Sequence, residues 1–149
     1  MKFIDFKDVT KTYSNGITAC ADISVQIEKG EFVFIIGSTG CGKSTWIEQN
    51  GLKPYTLSAD DIRLLCQSPI MQVDGTEGIS QANDNLTWKT LFNLLETRMQ
   101  KGEFTVIDAT NSKTSEMNRY KEMCNTYRYR IYCVDFTDVP MEECKRRNL

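Results

Sequence analysis

The sequence predicts an α/β fold: a parallel sheet flanked by helices, with an antiparallel β-hairpin element ahead of it. Three observations lead there. From residue 32 onward, short apolar runs alternate with helix-length amphipathic segments, which is how strands joined by helical crossovers read. Residues 2–31 instead look antiparallel, with strict two-residue alternation over 23–28 and turn signals at 14–16 and 29–30. Between these regions, Gly37-Ser38-Thr39-Gly40-Cys41-Gly42-Lys43-Ser44-Thr45 stands between an apolar strand and a helix. The expectation is a single domain over residues 1–149, with 1–31 an antiparallel subregion and 32–149 the α/β core.

Each element follows in order. Ile23, Val25 and Ile27 alternate with Ser24, Gln26 and Glu28, a half-buried strand pattern, and Ser14-Asn15-Gly16 is a hairpin turn signal. Lys29-Gly30 turns the chain into the apolar strand Phe32-Val33-Phe34-Ile35-Ile36, and a helix is predicted over 44–49. A short strand is predicted over 55–58 and a helix from about Ala59. The proline, glycine and polar residues of 67–77 read as a loop. A long helix over 79–100 places Trp88, Phe92, Leu95 and Met99 on one stripe, which reads as core. Phe104–Ile107 is a strand, Thr114–Thr126 a helix carrying Met117, Tyr120, Cys124 and Tyr127, and Tyr129–Phe136 a strand. Pro140 suits the first turn of a last helix.

The central run matches G-x-x-x-x-G-K-[ST] in full, and its setting is the one the motif requires. Glycines let the backbone wrap a β-phosphate, and the N–H groups of the following turn face the anion. Lys43 reaches the β- and γ-phosphates, and the Ser44 hydroxyl is a Mg²⁺ ligand. A P-loop NTPase fold binding ATP with Mg²⁺ follows, with Gly37, Ser38, Thr39, Gly40, Cys41, Gly42, Lys43, Ser44 and Thr45 as nucleotide-binding residues.

Composition narrows the remaining choices. The chain has 18 Lys and Arg against 20 Asp and Glu, so bulk charge does not advertise a nucleic-acid binder. Residues 113–149 carry a mild basic bias, eight Lys or Arg against six Asp or Glu. Six dispersed cysteines, no C-x-x-C pair and no histidine argue against a zinc site and a disulfide framework. No signal peptide and no membrane-length apolar run are visible, so a cytoplasmic protein with no membrane partner is expected.

Four polar sites past the loop are candidates for chemistry. Asp60 lies just beyond a strand end, where ligands gather in parallel α/β sheets, and a carboxylate there can accept a hydroxyl proton. Its neighbour Asp61 is the alternative, and an acidic N-cap for the following helix is the structural reading of Asp60. Arg63 shares a helix face with Asp60 and either pairs with it or forks onto an acceptor phosphate. Asp108 ends an apolar strand, where a carboxylate faces metal or loop, and Asn111 can contact substrate; hydrogen bonding to neighbouring loops explains that pair as well. Arg146 and Arg147 stand in a basic helix end favourable for the helix dipole.

Two resemblances divide the chain at the P-loop. The stretch FKDVTKTYSNGITACADISVQIEKGEFVFIIGSTGCGKST resembles the start of ATP-binding-cassette nucleotide-binding domains. It implies that Tyr13 stacks on adenine, although a strand-end aromatic packing beside the hairpin also fits. Beyond the P-loop the cassette pattern calls for an LSGGQ-type signature, a strand ending in Asp-Glu and a switch histidine; this chain has no LSGGQ and no histidine, so cassette-type hydrolysis is not implied. From Phe32 onward, about three quarters of the chain, four blocks resemble the 5′-kinase domain of phage and bacterial RNA-repair polynucleotide kinases. They are GSTGCGKSTW, LSADDIR (Leu57–Arg63), VIDATN (Val106–Asn111) and VPMEECKRRN (Val139–Asn148).

That resemblance implies Asp60 as general base, Arg63 and Asn111 on the acceptor, Asp108 toward the metal, and Arg147 with Arg146 in a lid that stabilises the transferring phosphate. Family members continue with a second lid arginine and a further helix, so a partner domain or subunit completing the lid is expected. The implied activity is ATP-dependent phosphorylation of a 5′-hydroxyl end of RNA or DNA. A small-molecule or nucleoside kinase and a non-catalytic cassette-like ATP-binding module are the alternatives.

Overall fold

The computed structural model describes residues 2–12, 18–28, 30–110 and 113–147. Tyr13, Asn111 and the Ser14-Asn15-Gly16 turn lie outside the described residues, as does the side chain of Arg147. Strands β1 (Lys2–Thr12) and β2 (Thr18–Glu28) pair antiparallel with each other as a separate two-stranded sheet. Their register shifts between Lys2 and Ile4, between Phe6 and Val9, and twice more toward Thr12.

The remaining order is β3 (Glu31–Ile36), α1 (Lys43–Gln49), β4 (Thr56–Ser58), α2 (Ala59–Cys66), β5 (Ile70–Met71), β6 (Glu77–Gly78), α3 (Asp84–Gln100), β7 (Thr105–Asp108), α4 (Thr114–Tyr127), β8 (Arg130–Asp135) and α5 (Met141–Arg147). Four strands form one parallel sheet in the order β4-β7-β3-β8. The strand that feeds the glycine loop is therefore interior, which explains its unbroken apolar run: it is buried on both faces.

Alternation along β3 divides the core in two. Phe32 and Phe34 point to one face, where Ile62 of α2, Leu91, Phe92 and Leu95 of α3, and Tyr120 and Cys124 of α4 close over them. Tyr120 stacks on Phe34 with ring centres 5.6 Å apart and also meets Phe32 and Phe92. Val33 and Ile35 point to the other face, against Ile47 of α1, Leu52, Phe136 and Cys144 of α5. Burial lifts the Cys124 thiol to about 11, so it behaves as an inert core group. No helix among the described residues is long and apolar enough to cross a membrane.

Two expectations are corrected. The long helix begins at Asp84, not at 79, because local hydrogen bonds take the preceding backbone into a turn. Ser80 Oγ accepts from the Ala82 N–H at 3.2 Å, and the first helical bond runs from the Thr87 N–H to the Asn83 carbonyl at 2.9 Å. Residues 67–77 are not wholly loop. Ile70–Met71 and Glu77–Gly78 pair as a minimal hairpin, whose tip is held by Asp74 accepting from the Thr76 N–H and hydroxyl.

Adjacent leucines of α3 test this packing. Leu95 is fully buried while Leu94 is 41% exposed. Leu95→Ala is expected to cost about 2–5 kcal/mol in urea unfolding, and Leu94→Ala to stay within about 0.5 kcal/mol of the parent. Equal losses at the two positions would contradict the assigned helix face.

Candidate active site

The glycine loop leaves the carboxyl end of β3 under tight steric terms. Gly37 has φ 147°, and a Cβ on it would lie 2.7 Å from Cys41 Sγ and 2.8 Å from Phe136 Cβ. Gly42 adopts φ 102° at the N-cap of α1, a left-handed conformation that glycine takes without strain. Lys43 is 8% exposed, and its Nζ donates to the carbonyls of Gly37 at 2.8 Å and Ser38 at 3.0 Å. The predicted loop residues thus separate into two layers. Thr39, Gly40, Gly42, Lys43, Ser44 and Thr45 line an open cleft of about 780 Å³. Gly37 and Ser38 supply the carbonyls that hold the lysine, and Cys41 is wholly buried beneath.

Asp108 reaches the same cleft from the carboxyl end of β7. In the sheet it lies level with Ile35 of β3 and Ser58 of β4. Ser44 Oγ donates to Asp108 Oδ2 at 3.0 Å, across 64 residues of chain. Burial pushes the Asp108 carboxyl above the ordinary aspartate range, opposed by that hydrogen bond and by the charge of Lys43. A loop serine and a strand-end carboxylate are thereby held side by side as oxygen donors.

Across the cleft stands the start of α2. Ser58 is its N-cap, with Oγ accepting from the Asp61 N–H at 3.3 Å, so the cap reading of Asp60 is corrected: capping falls to the residue two earlier. Asp60 lines the cleft, and Asp61 is engaged by Lys53 at 3.3 Å. Arg63, its side chain 11% exposed, donates from Nη1 to Asp60 Oδ1 at 2.8 Å. Its Nε and Nη2 both donate to Oδ1 of Asp84, the former at 3.0 Å. Burial opposes the guanidinium charge, but hydrogen bonds and charge from Asp84 and Asp60 outweigh it and raise its pKa. The local Asp60–Arg63 pair read from the spacing is present, and it is anchored by a third member.

Asp84 escapes sequence reasoning because it lies 21 residues from Arg63, at the start of a helix placed too early. Lys53, Gln81 and Trp88 also line the cleft without being predicted. The stripe pattern alone assigns Trp88 to the core; in the fold it packs on Phe92 but is only partly buried. Of the two C-terminal arginines, Arg146 lines the cleft and is ion-paired to Glu143 at 2.7 Å. The charged lining is balanced: Lys43, Lys53, Arg63 and Arg146 face Asp60, Asp61, Asp108 and Glu143.

The raised pKa of Asp108 has a testable consequence for stability. A carboxyl whose folded pKa exceeds its unfolded value binds more protons when folded, so its contribution becomes less favourable as pH rises through that window. Asp108→Asn keeps an acceptor for Ser44 and removes the buried charge. It is expected to unfold at a higher temperature than the parent at neutral pH, with the gap closing toward the ordinary value of 3.8. Thermal melts across that range check this; a gap that widens on acidification would reverse the assignment.

Similarity to known proteins agrees with this geometry. A chain of the Pnkp1/Rnl/Hen1 complex superposes with a TM-score of 0.62 at 22% identity, covering 78% of this chain and 38% of that one. The Mycobacterium tuberculosis APS kinase CysC, in complex with AMPPNP and APS, gives 0.55 at 20% identity, covering 80% and 69%. At these identities the likeness concerns the fold, a kinase-like P-loop fold. In sequence, the cell division ATP-binding protein FtsE of Streptococcus pneumoniae is 49% identical over 47 residues, 32% of this chain and 20% of its own length. The phosphonates import ATP-binding protein PhnC of Staphylococcus epidermidis is 43% identical over 68 residues, 46% and 26%. The chain thus spans about a fifth to a quarter of the curated relatives it matches. The model of the family described as "AAA domain" matches residues 32–149, and with its P-loop, parallel sheet and strand-end carboxylate this chain belongs to that family.

Proposed function

We propose that the protein is a phosphotransferase that moves the γ-phosphate of ATP to a 5′-hydroxyl end of a polynucleotide. The observation that carries this reading is the Asp60–Arg63 pair, anchored from behind by Asp84, sharing one cleft with the P-loop. A carboxylate held by an anchored arginine suits transfer to a hydroxyl acceptor, the carboxylate taking the hydroxyl proton and the arginine an acceptor phosphate. The LSADDIR and VIDATN blocks, through their resemblance to polynucleotide 5′-kinases, favour the same acceptor.

In this mechanism the triphosphate lies along Thr39–Thr45, and Lys43 exchanges its bonds to the Gly37 and Ser38 carbonyls for phosphate oxygens. Asp60 accepts the proton of the acceptor hydroxyl as its oxygen bonds to the γ-phosphorus and the bridging P–O bond to ADP breaks. Three of the five guanidinium donors of Arg63 are taken by Asp60 and Asp84, which leaves N–H capacity for an acceptor phosphate. Arg146 and Arg147 lend positive charge to the phosphoryl group in flight.

Mg²⁺ suits the donors present. Ser44 and Asp108 offer two hard oxygens in contact, and this ion takes one or two protein oxygens and completes its shell with water and phosphate. It would neutralise charge on the phosphates. Tyr13 on the adenine and Asn111 on the acceptor belong to this proposal as read from the sequence.

Incubation with γ-labelled ATP, Mg²⁺ and a 5′-hydroxyl oligonucleotide tests the reading, with label expected on the oligonucleotide. Asp60→Ala is expected to lower turnover by about 10²–10⁴-fold with ATP affinity retained, and Lys43→Ala to weaken ATP binding itself. Label reaching only water, or undiminished transfer by Asp60→Ala, would sink the assignment. Asp84→Asn should raise the KM for the oligonucleotide more than it lowers kcat, because it loosens Arg63 without touching the reacting atoms. A pure kcat loss would remove Asp84 from this positioning role.

A further inference from the structure

We infer that Trp88 is a stacking platform for the terminal nucleobase of the acceptor. This deepens the reading above and rests on it. The stripe of α3 is sealed along most of its length: Leu91, Phe92, Leu95 and Met99 are all buried in the core. Trp88, one turn before Phe92, is where that stripe runs out of core and enters the cleft. Its inner edge is backed by Phe92, with ring centres 6.1 Å apart and planes tilted by 33°. Phe92 is in turn fixed between Tyr120 at 5.2 Å and the Arg119 guanidinium at 3.9 Å. The indole is thus a braced aromatic surface with one side open.

Its place in the helix gives the surface a purpose. Trp88 lies four residues after Asp84, so the two share a helix face. Asp84 holds Arg63, and Arg63 holds Asp60. Platform, phosphate-directed arginine and hydroxyl-directed carboxylate therefore stand on one wall, opposite the P-loop. A terminal nucleoside presents the same three features: a base with a π-face, a following phosphate and a 5′-hydroxyl. Stacking tolerates any base, so the platform takes ends of any sequence. Its partial exposure sets Trp88 apart from its buried stripe partners, and none of the other described cleft-lining residues is aromatic.

The test uses the full chain and two readouts. The protein has two tryptophans, so Trp46→Phe leaves the Trp88 emission alone. Titration with a 5′-hydroxyl oligonucleotide is expected to quench it, and an oligonucleotide with an abasic 5′-terminal residue is not. In transfer assays with labelled ATP, Trp88→Leu keeps an apolar contact with Phe92 but loses the stacking face. It is expected to raise the acceptor KM by about 5- to 100-fold with the ATP KM unchanged, while Trp88→Phe recovers most of the affinity. The abasic acceptor should impose a like penalty on the parent protein and none on Trp88→Leu.

A parent protein indifferent to the abasic end, or a Trp88→Leu variant with unaltered acceptor KM, overturns the platform. A free nucleoside run alongside identifies the ligand's source. Quenching that saturates at lower oligonucleotide than nucleoside concentration assigns the platform to chain ends, and equal saturation assigns it to nucleosides; both uphold stacking. Failure to label any acceptor counts against the phosphotransferase reading alone, because base-dependent quenching still reports the platform.

Discussion

In-register parallel pairing of β3, β7 and β4 is the constraint on which the site depends. It sets Ile35, Asp108 and Ser58 side by side in adjacent strands. From that level the chain departs three times: into the glycine loop after β3, into the turn holding Ala109 and Thr110 after β7, and into α2 after β4. Because successive side chains of a strand alternate faces, a slip of one residue would turn Asp108 away from Ser44 and move Ile107 out of the core. The cleft is the space these departures leave at the carboxyl edge of the sheet, where open α/β sheets bind their ligands.

Electrostatics complete what the backbone arranges. Lys43, Asp108 and Arg63 are all withdrawn from water, and each is tolerated because a specific partner meets it: loop carbonyls, the Ser44 hydroxyl, and the Asp60 and Asp84 carboxylates. Buried charges satisfied in this way contribute little net stability. What they contribute is position, since each side chain is held in one geometry before substrate arrives. Incoming phosphates therefore meet lysines and arginines already engaged by loop carbonyls and carboxylates.

Much of the fold was legible because its signals are local. The buried run of β3, the glycine loop after it and the stripes of α3 and α4 are short-range patterns, and they fell within a few residues of the observed elements. The start of α3 was misplaced because Ser80 captures a backbone N–H that the periodicity assigned to the helix. The hairpin of β5 and β6 was missed because two-residue strands are too short to show alternation.

The site was legible unevenly for the same reason. Lys43, Ser44, Asp60, Arg63 and Asp108 stand in motifs whose spacing is itself chemical information. Asp84 and Lys53 carry no such signal, and Trp88 carried a misleading one, since the same stripe that buries Phe92 leaves Trp88 at the edge of the core. Short-range patterns carry the P-loop, the alternation of strands and helices, and the residue types able to handle phosphate. Who meets whom comes from the packed fold: Ser44 with Asp108, Arg63 with Asp84, Trp88 with the cleft. Those contacts join segments 21 to 64 residues apart or depend on where a packed surface ends, and neither property is written in any local stretch of chain.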